Sequence, residues 1–257
     1  MTDRISFIDG VYNYCDRWCE RCPLTRRCRV YAMEEEAAAA DPGSRDLASD
    51  AFWERLGAVF KKTKEMIVEA AHQRGIDLDA LDLEAAGRDE EFRRRRTQKH
   101  PLTVHGFEYI RAVDRWFDEH EPSFRRREEE LNRQLRLGVA GDDPEAEAVR
   151  IGDAVEVVRW YQHQIAVKLA RAVSSADRHE ELVPEEPCGD SDGSAKVALL
   201  GIDRSLAAWS ILRQCLPDPS ETILDLLVQL DRLRRAAESA FPNARAFVRP
   251  GFDDGSA

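Results

Sequence analysis

"EAEAVRIGDAVEVVRWYQHQIAVKLARAVSSA", residues 145–176, decides the fold. Val155, Val158, Ile165 and Leu169 lie three, seven and four residues apart, the repeat of one helix face. Glu156, Trp160, His163 and Val167, at spacings of four, three and four, share a second face. A helix with apolar residues on two faces is expected to be central, with others packed around it.

The flanking sequence supplies those others. Pro101 opens a helix reaching about Glu119, with Leu102, Tyr109, Val113, Trp116 and Phe117 inward. Pro122 restarts it as a charged helix to Leu137. Residues 195–216 and 220–241 read as an antiparallel pair across "PDP". Towards the N-terminus, residues 26–40 are helix-forming. Residues 52–73 form an amphipathic helix with Phe52, Leu56, Val59, Phe60, Thr63, Met66, Ile67 and Ala70 on one face, stopped by Gly75. Residues 76–96 read as a polar helical connection, 183–194 as a flexible link with Ser194 as a helix N-cap, and the tail from Pro242 as irregular. Strand signals are nearly absent. The expectation is an all-α protein: a bundle of about five or six principal helices over residues 41–257, carrying a small cysteine module over residues 1–40.

The chain has 257 residues and a net charge of −11, which disfavours nucleic acid as a partner. "RRRR" at Arg93–Arg96 and "RRR" at Arg125–Arg127 could grip phosphate, but the latter runs straight into "EEE", the mark of ion pairs along a solvated helix. "DSDGSAK" at 190–196 lacks the full phosphate-loop pattern. No secretory leader is legible, and the longest apolar run, "VALLGI", is too short to span a bilayer. The reading is a cytoplasmic protein with no membrane association. Thiols there stay reduced, and clustered cysteines read as metal ligands rather than disulfides.

"CDRWCERCPLTRRC" is such a cluster: Cys15-x3-Cys19-x2-Cys22-x5-Cys28. Four thiolates satisfy either tetrahedral zinc or a [4Fe–4S] cube. The close spacing favours the cube, because a wide cluster accepts ligands from around it. Zinc needs all four sulfurs about 2.3 Å from one point. Arg17, Arg21, Arg26, Arg27 and Arg29 would offset the negative charge of a thiolate cluster, or form a docking patch for an acidic partner. Tyr12, Tyr14, Trp18 and Tyr31 would shield it from water, or pack the segment.

"CERCPLTRRC" resembles the iron–sulfur loop of the endonuclease III and adenine-glycosylase families of DNA repair enzymes. The resemblance implies a ligand role for Cys19, Cys22 and Cys28. It covers about ten residues, and Cys15 departs from it: three residues separate Cys15 from Cys19 where those loops have six. No helix–hairpin–helix motif accompanies it, so no glycosylase activity is implied. The C-x3-C-x2-C half resembles radical-SAM loops, but Arg21 stands where those carry an aromatic, and no βα pattern follows. The opening "YCDRWCERC" is similar to that of bacterial all-helical proteins with an N-terminal four-cysteine motif, a resemblance that implies no activity.

The helices also carry carboxylate and imidazole pairs at spacings a second metal site could use. Glu69 and His72 lie opposite their own apolar stripe, and His105 and Glu108 lie at or beyond the margin of theirs. Glu156 and His163 remain candidate ligands for a metal-dependent enzyme on the central helix. Cys215 reads as a buried small hydrophobe and Cys188 as an exposed thiol. Asp203 and Arg204, within an apolar helix, suggest buried ion pairs. The functional expectation is a [4Fe–4S] cluster on a helical bundle, with a structural, interaction or electron-transfer role and a protein partner or electron donor or acceptor. The alternatives are a zinc-stapled scaffold without redox chemistry and the central-helix enzyme.

Overall fold

The computed structural model describes residues 6–40, 48–138, 143–182, 189–216 and 220–255. Among these there are seven α-helices and no strand: α1 Arg29–Ala40, α2 Asp50–Gln73, α3 Leu83–Lys99, α4 Pro101–Leu137, α5 Pro144–Leu182, α6 Gly189–Cys215 and α7 Ser220–Ala240. No helix among them is long and apolar enough to cross a membrane. The chain divides into two compact units. One comprises Met1–Asn13, Arg17–Phe92 and Pro250–Ala257, the other Tyr14–Asp16 and Arg93–Arg249.

The second unit is the helical bundle. Pro101 occupies the first turn of α4, where its missing N–H costs nothing, and the His100 ring caps the helix by accepting from the Leu102 amide at 3.2 Å. α5 starts after Asp143, whose carboxylate accepts from the Ala146 amide at 2.9 Å. α5 packs on α4 and α6, and α7 packs on both α4 and α6. Small residues set the close approaches. A Cβ on Gly106 would come 3.0 Å from the Ala166 backbone, so α4 and α5 nearly touch there. The aromatic core joins three helices. The Trp209 indole donates to the Tyr109 hydroxyl at 2.9 Å, Trp116 meets Trp209 edge-on at 4.7 Å, and the Trp116 indole donates to Thr222 at 2.9 Å.

In the first unit, Val11 and Leu24 are buried. The Ile8 amide donates to the Arg27 carbonyl at 3.0 Å. Gly251 has φ of +76°, and a Cβ there would come 2.8 Å from Ile8 and 3.1 Å from Leu24, so only glycine lets the C-terminal segment lie against these side chains. α2 is capped by Ser49, which accepts from the Phe52 amide at 3.2 Å.

Several expectations change. α1 begins at Arg29, and residues 25–27 form a 3-10 turn instead. α4 runs unbroken through Pro122. That proline is exposed, and Phe117, Phe124 and Leu131, seven residues apart, keep one face inward on both sides of it. α6 starts at Gly189, which puts Ser194 inside the helix and fully buried rather than at its cap. Residues 183–188, including Cys188, lie outside the described residues. The tail contains a 3-10 turn, Ala244–Ala246. On α5, Glu156, His163 and Val167 are exposed and Trp160 is half-buried, because the inward face is carried by Val158, Tyr161, Ile165 and Leu169. On α2, Val59, Phe60, Met66 and Ile67 are exposed rather than inward.

Candidate metal centre

The cysteine segment is built from short turns. Cys19–Arg21 is a single 3-10 turn closed by the Cys22 amide donating to the Cys19 carbonyl at 3.2 Å. Cys19 opens this turn, and Cys22 follows it with extended backbone. The chain then bends at Pro23, and the Leu24 amide donates to the Cys22 sulfur at 3.4 Å. Leu24 is buried and fixes this bend. A second 3-10 turn, Thr25–Arg27, delivers Cys28, whose amide donates to the Thr25 carbonyl at 3.2 Å. The Arg21 guanidinium lies 4.1 Å above the Trp18 ring, and Arg27 donates to the Ser6 carbonyl at 3.3 Å. Cys15, Cys19, Cys22 and Cys28 are half-buried thiols outside any disulfide.

These donors suit a soft metal, and an amide aimed at sulfur favours the thiolate that metal binding requires. Convergence is another matter: among the described residues, no group of three or more His, Cys, Asp or Glu side chains is gathered to hold an ion.

Within the second unit, the residues around Cys15 are clamped. The Tyr14 ring meets Phe247 edge-on at 4.7 Å and lies over Gly193, and its hydroxyl donates to Asp190 at 3.4 Å. The Asp16 carbonyl accepts from the Trp160 indole at 3.0 Å. Its carboxylate accepts from the Tyr161 hydroxyl at 2.5 Å and from Arg204 at 2.7 Å, and Arg204 also donates to the Tyr161 oxygen. Burial, then the hydrogen bond and charge of Asp16, push the Tyr161 phenol well above its ordinary range, so it stays protonated and donates. Arg17 follows at φ of 59°, a left-handed conformation rare outside glycine.

This clamp has no signature in the sequence. "DR" inside apolar α6 signalled an ion pair, but the partner of Arg204 lies 188 residues away in the chain, and no local pattern announces it. The pairs are also less buried than expected. Asp203 bonds Arg245 at 2.5 Å, with both side chains more than a third exposed.

The other candidates are dispersed. Glu69, His72, His105 and Glu108 are exposed, as are Glu156 and His163, and the His163 ring sits 3.0 Å from the Gln162 amide. The Arg125–Arg127 run is engaged: Arg125 pairs with Glu121 and Arg126 donates to Ser123 within α4, and Arg127 pairs with Glu147 of α5. Cys215 is buried, with Arg150 3.5 Å from its sulfur.

Comparison of the chain with family models, with curated proteins and with solved structures gives no match.

Proposed function

We propose that residues 15–28 bind a metal centre through Cys15, Cys19, Cys22 and Cys28, that this centre is a [4Fe–4S] cluster, and that it serves first to hold the segment's fold. The observation that carries the reading is the Cys19–Cys22 turn with its amide-to-sulfur bond at Cys22. Cysteines three apart around one turn are close enough in the chain to reach one metal centre, and the Leu24 amide favours the thiolate form of Cys22. The spacing of all four cysteines within fourteen residues supplies the rest of the donor set. A bound centre adds its binding free energy to folding, which a segment of single turns with few buried side chains needs. The half-buried sulfurs and the arginines among them also suit exchange of electrons with a protein partner.

Anaerobic purification followed by visible absorption spectroscopy tests the reading. A broad charge-transfer band near about 400 nm is expected for a thiolate-bound cluster. A colourless protein with one zinc per chain would replace the cluster with zinc. A protein with neither metal would remove the proposal. Dithionite titration then separates roles: reversible bleaching marks an electron carrier, and a centre unreduced down to about −700 mV is a staple.

A further inference from the structure

The sequence places an apolar seam on α2 that the first unit does not bury. Of its 24 residues only Ala71 is buried. Phe60 is 65% exposed, Met66 63%, Trp53 58%, Ile67 56% and Val59 52%. These are not scattered. Phe52, Leu56, Val59, Thr63, Met66 and Ala70 alternate spacings of four and three, the heptad repeat of a two-helix seam, and Trp53, Phe60 and Ile67 widen it along one edge.

From this pattern we propose that α2 pairs antiparallel with α2 of a second copy of this chain, about a two-fold axis passing near Phe60 and Lys62. The sequence is complementary to itself in that arrangement. The layers pair Phe52 with the partner's Ala70, Leu56 with the partner's Met66, and Val59 with the partner's Thr63, and symmetry repeats each. The largest seam residue thus meets the smallest, which an interdigitating core requires. Along one edge, Arg55 faces the partner's Glu69 twice by symmetry, and along the other, Phe60 meets the partner's Phe60. The one like-charge meeting, Lys62 with the partner's Lys62, is offset by Glu65, 3.9 Å from Lys62 on its own helix. A parallel pairing has none of this. It sets Phe52 against Phe52 and Ala70 against Ala70, and turns Arg55 and Lys62 towards the partner's Phe60 and Ile67.

Sedimentation of the full chain over about 1 to 300 µM reads the outcome directly. The expected result is a reversible dimer of twice the 29.3 kDa chain mass. Val59→Lys and Met66→Lys each abolish it, while circular dichroism retains the helical signal. Arg55→Glu, at a half-buried position, and Glu69→Arg, at an exposed one, each weaken association roughly tenfold through two symmetric contacts. The double variant Arg55→Glu/Glu69→Arg returns to within about threefold of the parent, because the pair is reversed and not lost. A chain that is monomeric throughout, or a dimer indifferent to Val59→Lys, overturns the proposal. A double variant no stronger than either single one overturns the antiparallel register.

Discussion

Tyr109 is fully buried, its hydroxyl accepts from Trp209, and burial pushes its phenol far above the ordinary range. Tyr109→Phe keeps the ring but leaves the indole N–H without that acceptor. The expected cost is about 1–3 kcal/mol, the cost of an unsatisfied buried donor, read as a lower urea midpoint at unchanged slope. Asp190 tests charge. Burial opposes its ionisation, yet Arg171, Ser175 and Tyr14 hold its carboxyl below the ordinary carboxylate range. A carboxyl lowered in the folded state stabilises above its unfolded pKa of about 4 and loses that contribution as pH falls through its folded value. Asp190→Asn is therefore expected to lower stability at neutral pH and to flatten its fall below about pH 4. The sequence made the tyrosine's burial legible, because Tyr109 shares the stripe of Val113 and Trp116. It gave no sign of Asp190's partners, since Arg171 belongs to another helix and Tyr14 lies 176 residues away.

At the scale of elements, glycine positions set how closely chains approach. A Cβ on Gly193 of α6 would come 2.4 Å from the Tyr14 ring and 2.8 Å from Phe247. Gly193→Ala gains helix propensity, about 1 kcal/mol, but overpacking costs about 1–3 kcal/mol and wins. The expected net loss shrinks when Tyr14→Ala is added, and a thermodynamic double-mutant cycle measures that coupling. Helix existence was legible in α2, α4 and α5 because their apolar stripes are long, and in α1 from its helix-forming composition. Boundaries were less so. Pro122 looked like a break, but an exposed proline forfeits one hydrogen bond on the solvent side while Phe117 and Phe124 hold the inner face. On α5 two stripes competed for the interior. The tryptophan stripe lost because Tyr161 and Ile165 already fill the space against α6, where Gly201 admits them. On α2 periodicity placed Val59, Phe60, Met66 and Ile67 on an inward face, but the structure leaves them exposed, because periodicity marks a stripe and not what covers it.

For the whole molecule, the bundle of the second unit stands on ordinary burial and aromatic packing, and its sequence announces it. The cysteine segment does not. Its turns are too short for periodic signals, and its recognisable feature is chemical: four thiols at metal-ligand spacing. The clamp on Tyr14 and Asp16 rests on residues from α5 and α6 that no motif connects to the cysteines. What the cysteine segment does therefore turns on the ligand role of Cys15, Cys19, Cys22 and Cys28. Iron, sulfide and zinc content per chain, measured on anaerobically purified protein carrying single cysteine-to-serine changes, tests it most directly. Stoichiometric metal is expected in the parent, in Cys188→Ser and in Cys215→Ser, and a loss of most of it in Cys15→Ser, Cys19→Ser, Cys22→Ser and Cys28→Ser. Metal retained in all four of those variants, or lost only in Cys188→Ser, would contradict it.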